Sequence, residues 1–367
     1  MDGKTNKKMT IMNHEYRKYT SLTILGKRYN KAELLKQCET KLKRFETPDW
    51  EISLYSFILE WLNESPFVEV KTSGSTGIPK TIQVLKSAML RSAFNTLNFF
   101  ELKEDQTALL CLPCEFIAGK MMVVRAFAGK LDLIPVPVTG TPLDSLQHPV
   151  DFAALTPLQM SNQLGKNPDK TNLLKTVILG GSAVSEELAE KLQNQPFDAW
   201  ETYGMTETHS HIALRLINGP RKDDSFTPLP GVRIQTDNRK CLAIDVPGIT
   251  DQPIITNDIA EINEAGKFKI SGRIDNIINS GGIKISPEKV ESQIAYIVNA
   301  PFFITGIPHP QLGQQTVLVM ENPPKDENKL LDQIKKMVPQ FHAPKKIIFR
   351  NPLPRTENGK IKRTLNW

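Results

Sequence analysis

Residues 71–80 read Lys71-Thr72-Ser73-Gly74-Ser75-Thr76-Gly77-Ile78-Pro79-Lys80, and hydroxyls, glycines and a lysine at this density make a cradle for phosphate. Gly74 and Gly77 let the backbone approach a polyphosphate with no Cβ in the way. Exposed N–H groups and the hydroxyls of Thr72, Ser73, Ser75 and Thr76 supply donors, and Lys80 supplies positive charge. The G-x-x-x-x-G-K-[ST] spacing is absent, so this is not a Walker A loop. Its flanks differ too. Phe67-Val68-Glu69-Val70 and Thr81-Ile82-Gln83-Val84 both read as strands, which puts the cradle at a hairpin tip and not at the mouth of a helix. An ordinary Gly/Ser turn has the same composition, so the loop alone leaves both readings open.

Little else in the composition points to chemistry. Cys38, Cys111, Cys114 and Cys241 are too few and too scattered for a disulfide scaffold. Cys111-Leu112-Pro113-Cys114 is a single C-x-x-C with no second pair, a weak signal for zinc or redox work. No run of about eighteen apolar residues occurs, so no membrane span is expected. The polar start Met1-Asp2-Gly3-Lys4 has no apolar signal core behind it, and a cytoplasmic protein is expected. A net charge of +6 suits anionic small molecules. Lys and Arg are spread along the chain with no aromatic-basic motif, which argues against nucleic acid as a partner.

The elements that must position the cradle follow from periodicity. The 367 residues suffice for two or three domains. Asn30 with Glu33 reads as a capping box that opens a helix, and Asp49 precedes a second helix with Ile52, Leu54, Phe57, Ile58 and Trp61 as its apolar stripe. Beyond the loop, apolar runs at 107–112 and 176–179 alternate with helical patterns around 119–128 and 184–193, which argues for α/β layers. Residues 228–270 read as short strands and turns. Ser286-Pro287-Glu288 starts a helix, followed by strands at 302–306 and 316–320, a helix over 328–338 and a strand at 346–349. This last stretch is a compact α+β unit.

Four further segments join the loop: Thr202-Tyr203-Gly204-Met205-Thr206-Glu207-Thr208; Thr256-Asn257-Asp258; Ser271-Gly272-Arg273-Ile274-Asp275-Asn276 with Gly281-Gly282-Ile283-Lys284; and Leu353-Pro354-Arg355-Thr356-Glu357-Asn358-Gly359-Lys360. In this order and spacing they resemble the motifs of adenylate-forming enzymes, the group of acyl-CoA and aryl-CoA synthetases, adenylation domains and luciferases. The resemblance runs from about residue 67 to the C-terminus. It implies an α/β adenylate-forming fold, with a large layered N-terminal domain over 1–272 and a small mobile α+β domain over 273–367 joined by a hinge. The start of the chain is short for this family, so a reduced N-terminal subdomain is expected.

The resemblance also implies roles. Thr72, Ser73, Gly74, Ser75, Thr76, Gly77 and Lys80 would hold the β- and γ-phosphates of ATP. Gly180, Gly181 and Ser182 would line the adenine and acyl pockets, and Tyr203 would stack on adenine. Thr206 would contact phosphate and Glu207 would serve the Mg²⁺ site. Asp258 and Arg273 would hold the ribose, Asp275 would be the hinge, and Lys284 would line the thiol tunnel of CoA. Lys360 would contact the carboxylate and the α-phosphate; without the motif it reads as one lysine of a basic tail. The reaction implied has two steps: a carboxylate and ATP give an acyl-adenylate, then a thiol displaces AMP.

Two segments resemble the branch of the family that ligates o-succinylbenzoate to CoA in menaquinone synthesis: Ala154-Leu155-Thr156-Pro157-Leu158-Gln159-Met160, and Leu112-Pro113-Cys114-Glu115-Phe116-Ile117-Ala118-Gly119-Lys120. Phe116 stands where that family often has His, and Asn257 where Gly is usual. A substrate with two carboxylates needs a cation for the one that is not activated. Lys120, with Arg125 beyond it, is expected to supply that cation, with His209 and His211 as pocket walls. Other acids, a carrier-protein thiol in place of CoA, and a homodimer stay open at this point.

Overall fold

The computed structural model describes residues 15–71, 81–250, 252–355 and 361–363. They belong to two compact units. The first comprises Met1–Val184, Lys191–Arg233 and Asp245–Gln252; the second comprises Ser185–Glu190, Ile234–Ile244 and Pro253–Trp367.

A nine-stranded sheet organises the first unit. From one edge its order is Thr227–Pro228, Ser210–Leu216, Asp198–Met205, Leu174–Leu179, Val150–Leu155, Thr107–Leu110, Asp132–Pro135, Leu22–Ile24 and Lys27–Tyr29. The strands from Asp198–Met205 through Leu22–Ile24 run parallel, and the flanking strands are antiparallel. The parallel strands carry near-continuous apolar runs because helices cover both faces of such a sheet. In Val150–Leu155, Phe152, Ala153, Ala154 and Leu155 are all buried. The helix Ile117–Gly129 is buried from Gly119 to Ala128. Gly119 is required where this helix meets the loop before it: a Cβ there would lie 2.3 Å from the Pro113 carbonyl oxygen.

The capping box at Asn30 forms as read, with Asn30 Oδ1 accepting from Glu33 N and Glu33 Oε2 accepting from Asn30 N. The helix Asp49–Leu62 buries Leu54, Phe57, Ile58 and Trp61, and Trp61 stacks on Phe127 with ring centroids 6.0 Å apart. Each such side chain contributes about 1.5–3 kcal/mol by leaving water. Ile52 does not share that stripe and is 39% exposed. At about 100° per residue it lies some 160° around the helix from Leu54. Phe67–Lys71 and Thr81–Leu85 pair antiparallel from Phe67↔Leu85 to Lys71↔Thr81, the hairpin expected around the hydroxyl-rich loop.

The second unit holds two sheets. One is four-stranded, in the order Arg233–Thr236, Cys241–Asp245, Ile254–Ile262, Phe268–Arg273. The other is five-stranded: Ile283–Ile285, Ile278–Ser280, Gly313–Met320 and Phe302–His309, with Lys346–Phe349 parallel to Gly313–Met320. Helices Pro287–Ile294 and Glu327–Met337 close a core of Ile278, Ile285, Val290, Ile294, Leu318, Ile334 and Ile347. Ser286 caps the first of these helices through its hydroxyl, with Pro287 at the first helical position. Among the described residues no helix is long and apolar enough to cross a membrane.

Candidate active site

The carboxyl ends of adjacent parallel strands gather the candidate residues of the first unit, the place where open α/β sheets bind ligands. Gly180 directly follows the strand Leu174–Leu179, and its N–H bonds to the Leu155 carbonyl of the neighbouring strand at 3.1 Å. A Cβ at Gly180 would lie 2.5 Å from Thr202 Oγ1, so this position stays open only as glycine. Gly181 has φ +89°, a left-handed conformation that side chains disfavour. Next along the sheet, Asp198–Met205 ends in Tyr203 and Gly204. Tyr203 is half-buried, and its ring is braced by Phe226 at 5.8 Å between centroids.

Thr206–Thr208 then forms a single 3₁₀ turn before Ser210–Leu216 returns antiparallel. Thr208, which the sequence reading left without a role beyond its motif, holds this turn. Its buried hydroxyl donates to Met205 O and Ser210 O and accepts from Met205 N, at 2.7–3.0 Å. Thr206 and Glu207 are therefore carried on a rigid corner, with Glu207 exposed. Glu207 forms no ion pair among the described residues, and no group of three or more His, Cys, Asp or Glu among them could hold a metal. One free carboxylate suits a hard cation that takes its other ligands from phosphates and water, as Mg²⁺ does.

Residues 72–80 lie outside the described residues, but the base of their hairpin is placed. Lys71 bridges to Phe116, and its N–H donates to Glu115 O at 3.2 Å. Phe116 is the residue before the helix Ile117–Gly129, close after the strand Thr107–Leu110. Lys71, the last described residue before the loop, thus lies against the segment that follows the carboxyl end of Thr107–Leu110.

Beside the Thr206–Glu207 corner sits a buried polar cluster. Arg125 is 1% exposed. Its Nη2 donates to Ser210 Oγ at 2.8 Å and its Nη1 approaches Met122 Sδ at 3.4 Å, while Nε is buried with no hydrogen-bond partner. No carboxylate pairs with it among the described residues, and burial pulls its pKa down to about 9. His211 is buried against it, with Nδ1 3.3 Å from Ser210 Oγ and Nε2 3.2 Å from Thr96 Oγ1. Burial, then the Arg125 charge, hold its pKa well below the usual imidazole value. His209 closes the 3₁₀ turn with φ +61°.

Lys120 is not brought into this cluster. Its ammonium pairs with Glu60 of the helix Asp49–Leu62 at 2.8 Å and lies 4.4 Å from the Phe57 ring centroid. The expected cation for a second carboxylate is therefore already paired with a half-buried carboxylate sixty positions earlier. The Cys111 and Cys114 thiols are buried and pushed up to about 12, which keeps them protonated and poor ligands.

In the second unit Asp258 and Arg273 face each other across paired strands. Arg273 Nη1 donates to Asp258 Oδ1 at 2.8 Å, and Nη2 to Asp275 Oδ2 at 2.9 Å. Asn257 and Arg239 add to this group: Asn257 Nδ2 lies 3.0 and 3.1 Å from the two oxygens of Asp275, and Arg239 Nη1 donates to Asn257 Oδ1 at 3.1 Å. Lys284 is exposed on the hairpin that turns at Gly281 and Gly282, both with positive φ, and lines a shallow cleft with Ser271, Lys289 and His342. Lys360 lies outside the described residues. Of the described residues on either side, Arg355 bridges to Ile361, Lys362 N donates to Pro354 O at 2.7 Å, and Arg363 pairs with Glu291.

Comparison with known proteins gives a consistent picture. The family model described as AMP-binding enzyme matches residues 42–248, more than half of the chain. The 2-succinylbenzoate–CoA ligase of Salmonella typhimurium is 30% identical over 285 residues, covering 73% of this chain and 61% of that protein. The Escherichia coli protein of the same name is 29% identical over 307 residues, covering 79% and 66%. The chain therefore spans less than two thirds of the length of these relatives. Among solved structures, an acyl-CoA synthetase (AMP-forming)/AMP-acid ligase II-like protein from Dyadobacter fermentans is 34% identical, with a TM-score of 0.61 and 89% and 96% of the two chains covered. The o-succinylbenzoate CoA synthetase of Bacillus subtilis, in complex with the acyl-adenylate OSB-AMP, has a TM-score of 0.76 over 96% of each chain at 16% identity, a likeness of fold. The chain has the adenylate-forming enzyme fold.

Proposed function

The chain belongs to the AMP-binding enzyme family, and from that premise we propose that it uses ATP to join a small-molecule carboxylate, o-succinylbenzoate, to the thiol of CoA. The observation that carries this reading is the shared end of the sheet: Lys71 bridged to Phe116 beyond the strand Thr107–Leu110, the open position at Gly180 and the Thr206–Glu207 corner all lie past the carboxyl ends of strands in the parallel sheet. The named 2-succinylbenzoate–CoA ligases support the substrate.

In the first step a carboxylate oxygen attacks the α-phosphorus of ATP and pyrophosphate leaves. Two negatively charged groups must approach, so cationic and donor groups dominate the barrier. Residues 72–80 hold the β- and γ-phosphates, Tyr203 stacks on adenine, Asp258 and Arg273 hold the ribose, and Thr206 donates to phosphate. Glu207 holds Mg²⁺, which offsets charge on the phosphates when bound. Lys360 stabilises the charge at the α-phosphate. In the second step the CoA sulfur attacks the acyl carbon, AMP leaves with the carboxylate oxygen, and the thiol proton passes to solvent. Lys284 serves this step, with Asp275 as the hinge between the two arrangements.

The second carboxylate of the substrate is held by Arg125, whose buried guanidinium has a nitrogen without a partner. Lys120, paired with Glu60, braces the helix instead. The test is AMP release by purified protein with ATP, CoA and o-succinylbenzoate, against benzoate and medium-chain fatty acids. A kcat/KM for o-succinylbenzoate far above those of the monoacids supports the reading; equal turnover of the monoacids removes the dicarboxylate assignment.

A further inference from the structure

Asn257 stands between two charged neighbours whose chemistry fixes its orientation. Arg239 can only donate, so the side of the amide that faces it is Oδ1; Asp275 can only accept, so the side that faces it is Nδ2. Arg239 is itself held, with Nε on Asp237 Oδ2 at 2.8 Å and Nη2 on the Thr256 carbonyl at 3.2 Å. The Asp237 hydrogen bond helps raise the Arg239 pKa, which keeps it a permanent donor. On its other side Asp275 meets Arg273, and Arg273 meets Asp258. The result is one continuous chain of alternating partners: Asp237, Arg239, Asn257, Asp275, Arg273, Asp258. Asp275 sits in the short 3₁₀ turn Ile274–Asn276, which links the two sheets of the unit.

We propose that Asn257, oriented by Arg239, is a positioning residue that restrains Asp275 and ties it through Arg273 to Asp258. The inference rests on the reading above, in which Asp275 is the hinge and Asp258 a nucleotide contact. An amide bridging both oxygens of a carboxylate fixes its direction, so Asp275 cannot turn without breaking bonds to Asn257 and Arg273 together. A ligand hydroxyl that competes for Asp258 loosens the far end of the same chain. Residue 257 thereby sets how readily the 274–276 turn responds to nucleotide. A glycine at 257 has no side chain for this, so the restraint is a property of this chain's own asparagine.

The experiment compares the full chain with Asn257→Gly, Asn257→Asp and the double variant Asn257→Asp/Asp275→Asn. Hydrogen–deuterium exchange of the peptide covering 274–278 is read with and without ATP, beside the KM for ATP and the rate of ATP–pyrophosphate exchange. Asn257→Gly is expected to speed exchange at 274–278 about fivefold, the scale of one ordinary solvent-exposed hydrogen bond. Asn257→Asp sets two carboxylates against each other and is expected to speed it more. The double variant restores a donor–acceptor pair and is expected to recover at least half of that change and of the accompanying rise in KM for ATP, a coupling that a merely structural role would not produce. Exchange at 274–278 that is the same in wild type and both single variants overturns the proposal, as does a double variant that recovers less than half of the change seen in Asn257→Asp. A wild-type protein with no carboxylate-dependent pyrophosphate exchange overturns the ligase reading instead, and the deuterium comparison still decides the restraint.

Discussion

Arg125→Met separates binding from stability in one substitution. The guanidinium is 1% exposed, has one good hydrogen bond to Ser210, and has no carboxylate partner among the described residues. A buried charge in this state costs folding free energy, so replacing it with a hydrophobe of similar length leaves stability unchanged or raises it by up to about 2 kcal/mol. Its value lies in meeting an anion. A carboxylate about 4 Å away at an effective dielectric of about 20 gains about 4 kcal/mol. Desolvation of the incoming anion takes back part of that, leaving about 2–3 kcal/mol, or about 30- to 160-fold in rate. The assay is kcat/KM at saturating ATP and CoA for o-succinylbenzoate and for benzoate, beside a thermal melt. The dicarboxylate should lose about two orders of magnitude, benzoate almost nothing, and Tm should hold or rise. Equal losses on both acids, or a fall in Tm of many degrees, would refute the argument and return Arg125 to a structural role.

Three more outcomes follow from the same geometry. Thr208→Val removes three hydrogen bonds under the Thr206–Glu207 corner; it should cost about 1–3 kcal/mol of stability in urea unfolding and lower kcat for both acids alike. His211 has a folded pKa depressed below its unfolded value, so the unfolded state binds the extra proton, and stability is fully present above about pH 6.5 and falls as pH drops below it. Replacing it in His211→Gln should flatten that fall, which reaches about 1.4 kcal/mol per pH unit, as read by urea unfolding at pH 7.5 and 5.5. Lys360→Ala should lower ATP–pyrophosphate exchange by about 10²–10³ while sparing thioester formation from pre-made acyl-adenylate, on the scale of losing one electrostatic stabiliser; equal losses in both steps would remove its assignment to the first.

What could be read from the sequence was mostly local. The capping box at Asn30, the strands flanking the hydroxyl-rich loop and the helix at Ser286–Pro287 depend on neighbours a few residues apart, and they form as read. The apolar stripe of Asp49–Leu62 was legible except for Ile52, where apolar character was taken without its angle around the helix. The pairing of Lys120 was not legible for a different reason. Its partner Glu60 comes from another helix, and nothing in either local sequence marks the pair. Arg125 and His211 meet only because the helix Ile117–Gly129 packs beside the strand Ser210–Leu216. The Asn257 group is hidden in the same way. Arg239 and Asp275 each lie eighteen residues from it, joined by sheet register and a turn. A departure from glycine at 257 was visible, but its meaning required the partner on each side.

In the proposed reaction a carboxylate oxygen attacks the α-phosphorus of ATP. The most direct test of this step uses o-succinylbenzoate labelled with ¹⁸O in its carboxylates, unlabelled ATP and CoA, with mass analysis of the nucleotide product. AMP carrying one ¹⁸O is the expected product, because the bond broken by the thiol leaves that oxygen on phosphorus. Unlabelled AMP, or ADP with labelled inorganic phosphate, would contradict it.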